Sequence, residues 1–171
     1  LINFKKEEGV DFMANYILEE KESFTVLGFG TELMSHYTDY AGISKEKAAF
    51  WEGIKQDGRL DTLKAIATND YIFAVNEAVN NKLMHYAGVM TASLLPEADR
   101  VIQFPKGEYL VVQGEAKTSD EMSHMLTGIA FGQVLPEAKD FAYVGGPNAT
   151  VEMGLRNGLV FGEVWIPVVR K

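Results

Sequence analysis

The chain repeats itself. KESFTVLGFG begins at Lys21 and KGEYLVVQGE begins at Lys106. Both read Lys, two residues, an aromatic, one residue, Val and an apolar residue, with Gly close behind. Phe24 matches Tyr109 and Val26 matches Val111. Their β-branched and aromatic content makes each a strand. A helical pattern follows each strand. In the second half Thr118 is a cap with Glu121 three residues on, and Met122, Met125, Leu126 and Ile129 recur at helical spacing. In the first half Ser44 is the candidate cap, Trp51 and Ile54 share a face, and a second short helix runs from Leu60 to Ala67. DYIFAV at Asp70 then matches DFAYVG at Asp140, each followed by a turn: NEAVNNK in the first half, GGPNATVEMGLRNG in the second. Last strands close the halves, LMHYAGVM from Leu83 and LVFGEVWIPV from Leu159, and TASLLPEAD connects the halves.

The order is β-α-β-β, twice. The fold class expected is therefore α+β: tandem β-α-β-β modules pairing into one curved antiparallel sheet. Helices cover one face, and the other forms a central groove along the pseudo-two-fold axis, where ligand pockets are common. Module one spans about residues 16–92 and module two about 101–171 of a single domain, residues 13–171. Met13 opens MANYILEEKESF, which looks like a translation start, so residues 1–12 are expected to be a leader outside the fold.

The closing strand carries the strongest chemical signal. With a period of two, Phe161, Glu163 and Trp165 point one way, and Val160, Val164 and Ile166 the other. The valine face is expected to meet the helices, and the face with the acid the groove. Aligning GVM with EVW sets Gly88 opposite Glu163 and Met90 opposite Trp165, so the duplication breaks where the acid sits. A carboxylate walled by aromatics is a better base near neutral pH, or a seat for a cation. The plain alternative is a solvated edge-strand Glu that guards against aggregation. The two aromatics beside it weigh against that, because they would form an exposed apolar patch.

Composition removes several classes. A net charge of -8 over 171 residues argues against a nucleic-acid footprint or an anionic membrane surface, and suits a neutral or cationic ligand. There is no Cys, which excludes disulfides and thiolate chemistry and fits a cytoplasmic protein. No apolar run approaches the roughly 18–20 residues of a membrane span, and no signal peptide is visible. GFGTEL from Gly28 lacks the third glycine of a dinucleotide fingerprint. His36, His85 and His124 have no metal spacing, and no serine elbow is present, so neither metal nor cofactor is expected.

With these pieces in place, the chain resembles the GyrI-like family, the effector-binding domain of AraC- and MerR-type drug-responsive regulators. FPKGEYLVVQGE from Phe104 is similar to the family's P-A-G-x-Y strand entry, with Lys106 where Ala is usual, and EVWIPVVRK to its E-x-x-I-P-V closing strand. FWEGI at Phe50 and YTDYAG at Tyr37 add to the likeness, which covers about residues 16–171. The resemblance implies the duplicated fold and binding of amphipathic, aromatic, often cationic molecules in the groove. Without room for a helix-turn-helix before the first strand, a stand-alone domain that does not itself contact DNA is expected. One departure matters: Ala142 stands where typical members carry the acid of D-F-E-x-Y. Glu163 would then be the acid of the groove.

A stand-alone branch of the family includes hydrolases of cyclopropane-bearing DNA alkylators, which are thereby detoxified. The resemblance thus implies Glu163 as the base and Tyr71 (or Tyr143) as support for the carbonyl oxygen that gains charge. The candidate ligand contacts are Trp165, Phe161, Tyr143, Tyr109, Tyr86, Met90, Phe104 and Trp51. Alternatives are passive sequestration of aromatic drugs, or modulation of a partner such as DNA gyrase. A homodimer contact is a further possibility left open by the residues.

Overall fold

The computed structural model describes residues 4–7, 10–13 and 16–171. The expected leader falls partly outside these residues. Within them, β1 (Phe4–Glu7) and β2 (Val10–Met13) pair only with each other, apart from the main sheet. The main sheet has nine strands: β3 (Tyr16–Lys21), β4 (Phe24–Glu32), β5 (Ile72–Val79), β6 (Lys82–Val89), β7 (Arg100–Phe104), β8 (Gly107–Ala116), β9 (Phe141–Tyr143), β10 (Asn148–Arg156) and β11 (Leu159–Arg170). The helices are α1 (Tyr40–Gln56), α2 (Arg59–Ile66) and α3 (Ser119–Ile129), the last running on through a π turn at Ala130–Val134. The fold is α+β, a curled antiparallel half-barrel with helices on its outer face.

The strand order, β3-β8-β11-β10-β5-β6-β4-β7 with β9 beside β11, is symmetric about the β10–β5 pair. Its ends are exchanged. β3 leads into module one but pairs with β8 of module two; β7 leads into module two but pairs with β4 of module one. Only Glu22 and Ser23 separate β3 from β4, and only Pro105 and Lys106 separate β7 from β8. Lys21 faces Gly107 and Phe24 faces Phe104, three residues on along one stretch and three back along the other, so one register runs through the crossing. Residues 16–32 and 100–116 thus form one long ribbon that ties both flanks of the sheet and curls it.

Local sequence explains most elements. Thr118 caps α3, its hydroxyl accepting the Glu121 N–H at 3.1 Å. Asp39, not Ser44, caps α1: its carboxylate accepts the Gly42 N–H at 2.9 Å, starting the helix four residues before Ser44. Gly58, at φ 87°, makes the left-handed break between α1 and α2. The β5–β6 and β10–β11 hairpins turn on Asn80-Asn81 and Asn157-Gly158, all at positive φ as tight two-residue turns require.

One internal match does not hold. The counterpart of β5 is β10, which lies inside the stretch read as a turn; DFAY forms only the short β9 at the end of β11. Gly145, Gly146 and Pro147 before it and Asn157 and Gly158 after it disguised that strand, and the register shift between Glu152 and Gly154 broke its alternation. Counted from the turns, Glu163 takes the place of Tyr86, and Trp165 that of Gly88. The acid still has no acidic counterpart.

The two faces divide as the alternation predicts. Val164, Ile166 and Val168 pack with Leu110 and Val112 against Met122, Leu126 and Ala130 of the α3 segment, with Val160 at the margin. Ala87, Val89 and Phe29 meet Ile54, Leu60 and Leu63 of α1 and α2. Under the helices, a polar chain crosses the module boundary. Trp51 Nε1–H donates to His85 Nε2 at 2.9 Å, which leaves the proton of the neutral ring on Nδ1. His85 Nδ1–H then donates to Asn76 Oδ1 at 2.9 Å, Asn76 to Asn148 Oδ1 at 3.3 Å, Asn148 to the Tyr143 hydroxyl at 3.1 Å, and that hydroxyl to the Gly146 carbonyl.

Burial, and then the nearby Lys47 ammonium, lower the His85 pKa from 6.5 to about 3. Between those values the unfolded chain binds a proton at His85 that the folded chain does not. Its contribution to stability is therefore full above 6.5 and lost as pH falls toward 3, at up to about 1.4 kcal/mol per pH unit. His85→Gln should flatten the slope of unfolding free energy against pH in that window, measured by urea denaturation at stepped pH. An unchanged slope would show that His85 does not titrate as described.

Candidate functional site

The concave face is built in rows, because strand partners place residues of like parity side by side. One row runs Gln113, Glu163, Val151, Phe73, Gly88 and Gly28 across five consecutive pairings. The next carries Val111, Trp165, Ala149, Val75 and Tyr86. Paired glycines let β4 and β6 approach: a Cβ on Gly88 would lie 2.7 Å from the Leu27 carbonyl oxygen. Where module one has this bare glycine, module two has the indole of Trp165.

These side chains form an apolar cluster that fills the inside of the curl. Phe24 stacks on Phe104 at 4.6 Å between centroids, and Trp165 sits edge-on to Phe24 at 5.7 Å and to Phe73 at 5.6 Å. Phe73, Phe104 and Tyr109 are fully buried and Trp165 nearly so. Tyr109 donates its hydroxyl to the Pro105 carbonyl at 2.6 Å, and burial pushes that hydroxyl up to about 12. Ile17, Phe24, Tyr71, Met90, Met153 and Phe161 are half-buried and form the rim.

Glu163 lies at this rim, half-buried. Its Oε1 accepts the Trp165 indole N–H at 2.7 Å. Among the described residues, no hydrogen bond occupies its other oxygen. The Lys21 ammonium stands 3.8 Å from the Trp165 ring centroid and the Arg156 guanidinium 3.6 Å from that of Phe161. Farther along, Arg100 holds Glu77 through two bonds of 2.8 and 3.1 Å. Tyr86 is buried next to that pair; burial, then Glu77, raise its hydroxyl above the usual tyrosine range.

Of the ten residues singled out in the sequence, eight share this face: Glu163, Trp165, Phe161, Tyr71, Met90, Tyr86, Tyr109 and Phe104. The structure sets Trp51 and Tyr143 apart from them. Trp51 belongs to α1 and bonds His85 beneath the helices. Tyr143 pairs with Val168 on β9 and packs edge-on against Phe131, 5.7 Å away, on the outer face. Phe24, Phe73, Met153 and Lys21 were not singled out. The shared parity of Phe73 with Tyr71, and of Phe24 with Val26, carried that signal; nothing local to Lys21 did.

Two surface hollows lie elsewhere. One, of about 360 Å³, is at the α1–α2 break beside Phe29, Arg59 and Asp99; the other, of about 490 Å³, is at the ribbon crossing beside Lys106, Val144 and Arg170. Neither holds Glu163. The concave face is closed by its own aromatics, so a ligand there would have to part Phe24, Trp165 and Lys21. Among the described residues no cluster of three or more metal-ligating side chains occurs, and no helix is long and apolar enough to cross a membrane.

The sequence matches the model of a family described as integron-associated effector-binding protein over residues 17–168. In structure the chain is similar to SAV2435 bound to tetraphenylphosphonium, with a TM-score of 0.74 and 16% identity, covering 91% of this chain and 94% of that one. It is also similar to an integron cassette protein from the mobile metagenome of Vibrio cholerae, with a TM-score of 0.58 and 10% identity, covering 90% and 95%. At these identities the likeness shows the fold. No curated protein matches the chain by sequence.

Packing and chemistry are separable on this face. Phe73→Ala should cost about 3–5 kcal/mol of stability, because it empties the centre of the cluster. Glu163→Gln keeps an acceptor for the indole N–H and should change stability by less than about 1 kcal/mol. Chemical denaturation of both variants checks this; a large loss in Glu163→Gln would make the acid structural.

Proposed function

The chain belongs to the integron-associated effector-binding protein family, and on that premise we propose that its concave face binds hydrophobic, aromatic, cationic small molecules. The observation that carries this is Glu163, half-buried, tied to the Trp165 indole, which meets Phe73 edge-on, and two residues from Phe161 on the same face of β11. Aromatic faces attract a cation and supply area for flat rings; a carboxylate among them supplies the counter-charge. The overall charge of -8 favours the approach of a cation. SAV2435, whose structure is similar, was solved bound to tetraphenylphosphonium, an aromatic cation.

Tetraphenylphosphonium and tetraphenylborate share a shape and differ in the sign of their charge, which makes them a direct test. Calorimetric titration should show the phosphonium bound more tightly than the borate. Glu163→Gln should weaken the phosphonium about ten-fold, the scale of one desolvated charge contact, and leave the borate no weaker. Equal affinity for the two ions, or a phosphonium affinity indifferent to Glu163→Gln, would refute the reading.

A second reading rests on Tyr71, whose parity puts it on the same face as Glu163 and whose hydroxyl has no hydrogen-bond partner among the described residues. With a ligand bearing a cyclopropane conjugated to a carbonyl, Glu163 takes a proton from water as the water oxygen bonds to the ring carbon. The strained C–C bond breaks, and its electron pair passes through the conjugated system to the carbonyl oxygen, which Tyr71 supports and which is then protonated. Incubation with such an alkylator should yield a product heavier by one water, formed faster than without protein and not by Glu163→Gln. Binding without that product leaves sequestration as the function.

A further inference from the structure

Lys21 differs from the other lysines for which an ion pair is seen. Its side chain is 15% exposed, against 60% for Lys82 and 69% for Lys106. Its ammonium bonds Glu19 at 2.6 Å and stands 3.8 Å from the centroid of the Trp165 ring. Glu19 and Lys21 share parity with Ile17, which packs in the concave cluster, so this pair belongs to the site. Lys21 is also the last residue of β3, where the chain passes into β4 and Phe24. Arg156 repeats the arrangement over Phe161 at 3.6 Å. Both aromatics flanking Glu163 therefore already carry a cation from the chain itself.

A ring quadrupole does not distinguish an internal ammonium from a ligand's cation. The place over Trp165 is one that an aromatic cation bound next to Glu163 would take. We infer that Lys21 is an internal competitor that sets the charge specificity of the groove: it covers Trp165 while the site is empty and must be displaced by a cationic ligand. This rests on the binding reading above. A merely structural Lys21, a stem laid over an indole beside a salt bridge, would affect stability and leave ligand choice alone.

Lys21→Met keeps an apolar stem on the ring and removes the charge; Lys21→Arg keeps the charge; Lys82→Met makes the same change in net charge at the remote β5–β6 hairpin. Circular dichroism establishes that each is folded. Tetraphenylphosphonium and tetraphenylborate are then titrated by calorimetry into the wild type and all three variants. Lys21→Met should tighten the phosphonium about ten-fold and weaken the borate, the scale of a desolvated cation–π contact. Lys21→Arg should stay near the wild type, and Lys82→Met should shift both ions by under about two-fold, as a screened distant charge does. If Lys21→Met moves the ratio of the two affinities no more than Lys82→Met does, the competitor role is overturned while the binding reading stands. If neither ion binds the wild type or any variant, both are overturned.

Discussion

Everything in this fold hangs on the ladder between residues 16–32 and 100–116. Each of these long strands serves both flanks of the sheet, passing from one to the other over two residues at Glu22–Ser23 and Pro105–Lys106. An unbroken register through the crossing fixes where the flanks lie and forces the sheet to curl. The same crossing places Lys21 and Phe24 at the inside of the curl. Glycines 28 and 88 face each other near one end of the ladder and let the backbone close up there.

On the proposed reading, the inside of the curl is a core and a site at once. Trp165 belongs to the packed cluster by burial, and to the site by its bond to Glu163. Binding there would be a repacking event: aromatic area lost between Trp165 and Phe24 would have to be regained against the ligand. The outer side works oppositely. The polar chain from Trp51 to Gly146 has every link fixed as donor or acceptor, and it joins the modules through the Asn76–Asn148 contact at their shared strand pair. Such a fully satisfied chain fixes register and resists rearrangement. The molecule thus pairs a rigid, directional outer layer with an inner layer held by non-directional contacts, which tolerate exchange of partners.

Much of this was legible in the sequence where periodicity is strong. The alternation in Phe161–Ile166 assigned both faces of β11, and Thr118 with Glu121 announced α3. β10 was not legible, because Gly154 and the bulge interrupt its alternation and turn-forming residues bracket it. Trp51 and Tyr143 look like ligand contacts only while the face they occupy is unknown; α1 and the end of β11 decide that, and both are tertiary facts. Lys21 illustrates the other limit. Its position over Trp165 depends on β3 crossing to the far module, and no local pattern encodes a strand that pairs with its neighbour's half.

That crossing also says what kind of object the molecule is. Cut the connection between Thr91 and Asp99, and each half becomes a unit that lends its leading strand to its mate and receives one in return. This is the connectivity of a strand-exchanged homodimer whose two subunits have been sewn together. The tether makes the mate always present, replacing a concentration-dependent assembly with an intramolecular one. It also frees the two halves from having to be identical: one holds an acid and an indole where the other, counted from the turns, holds a tyrosine and a glycine.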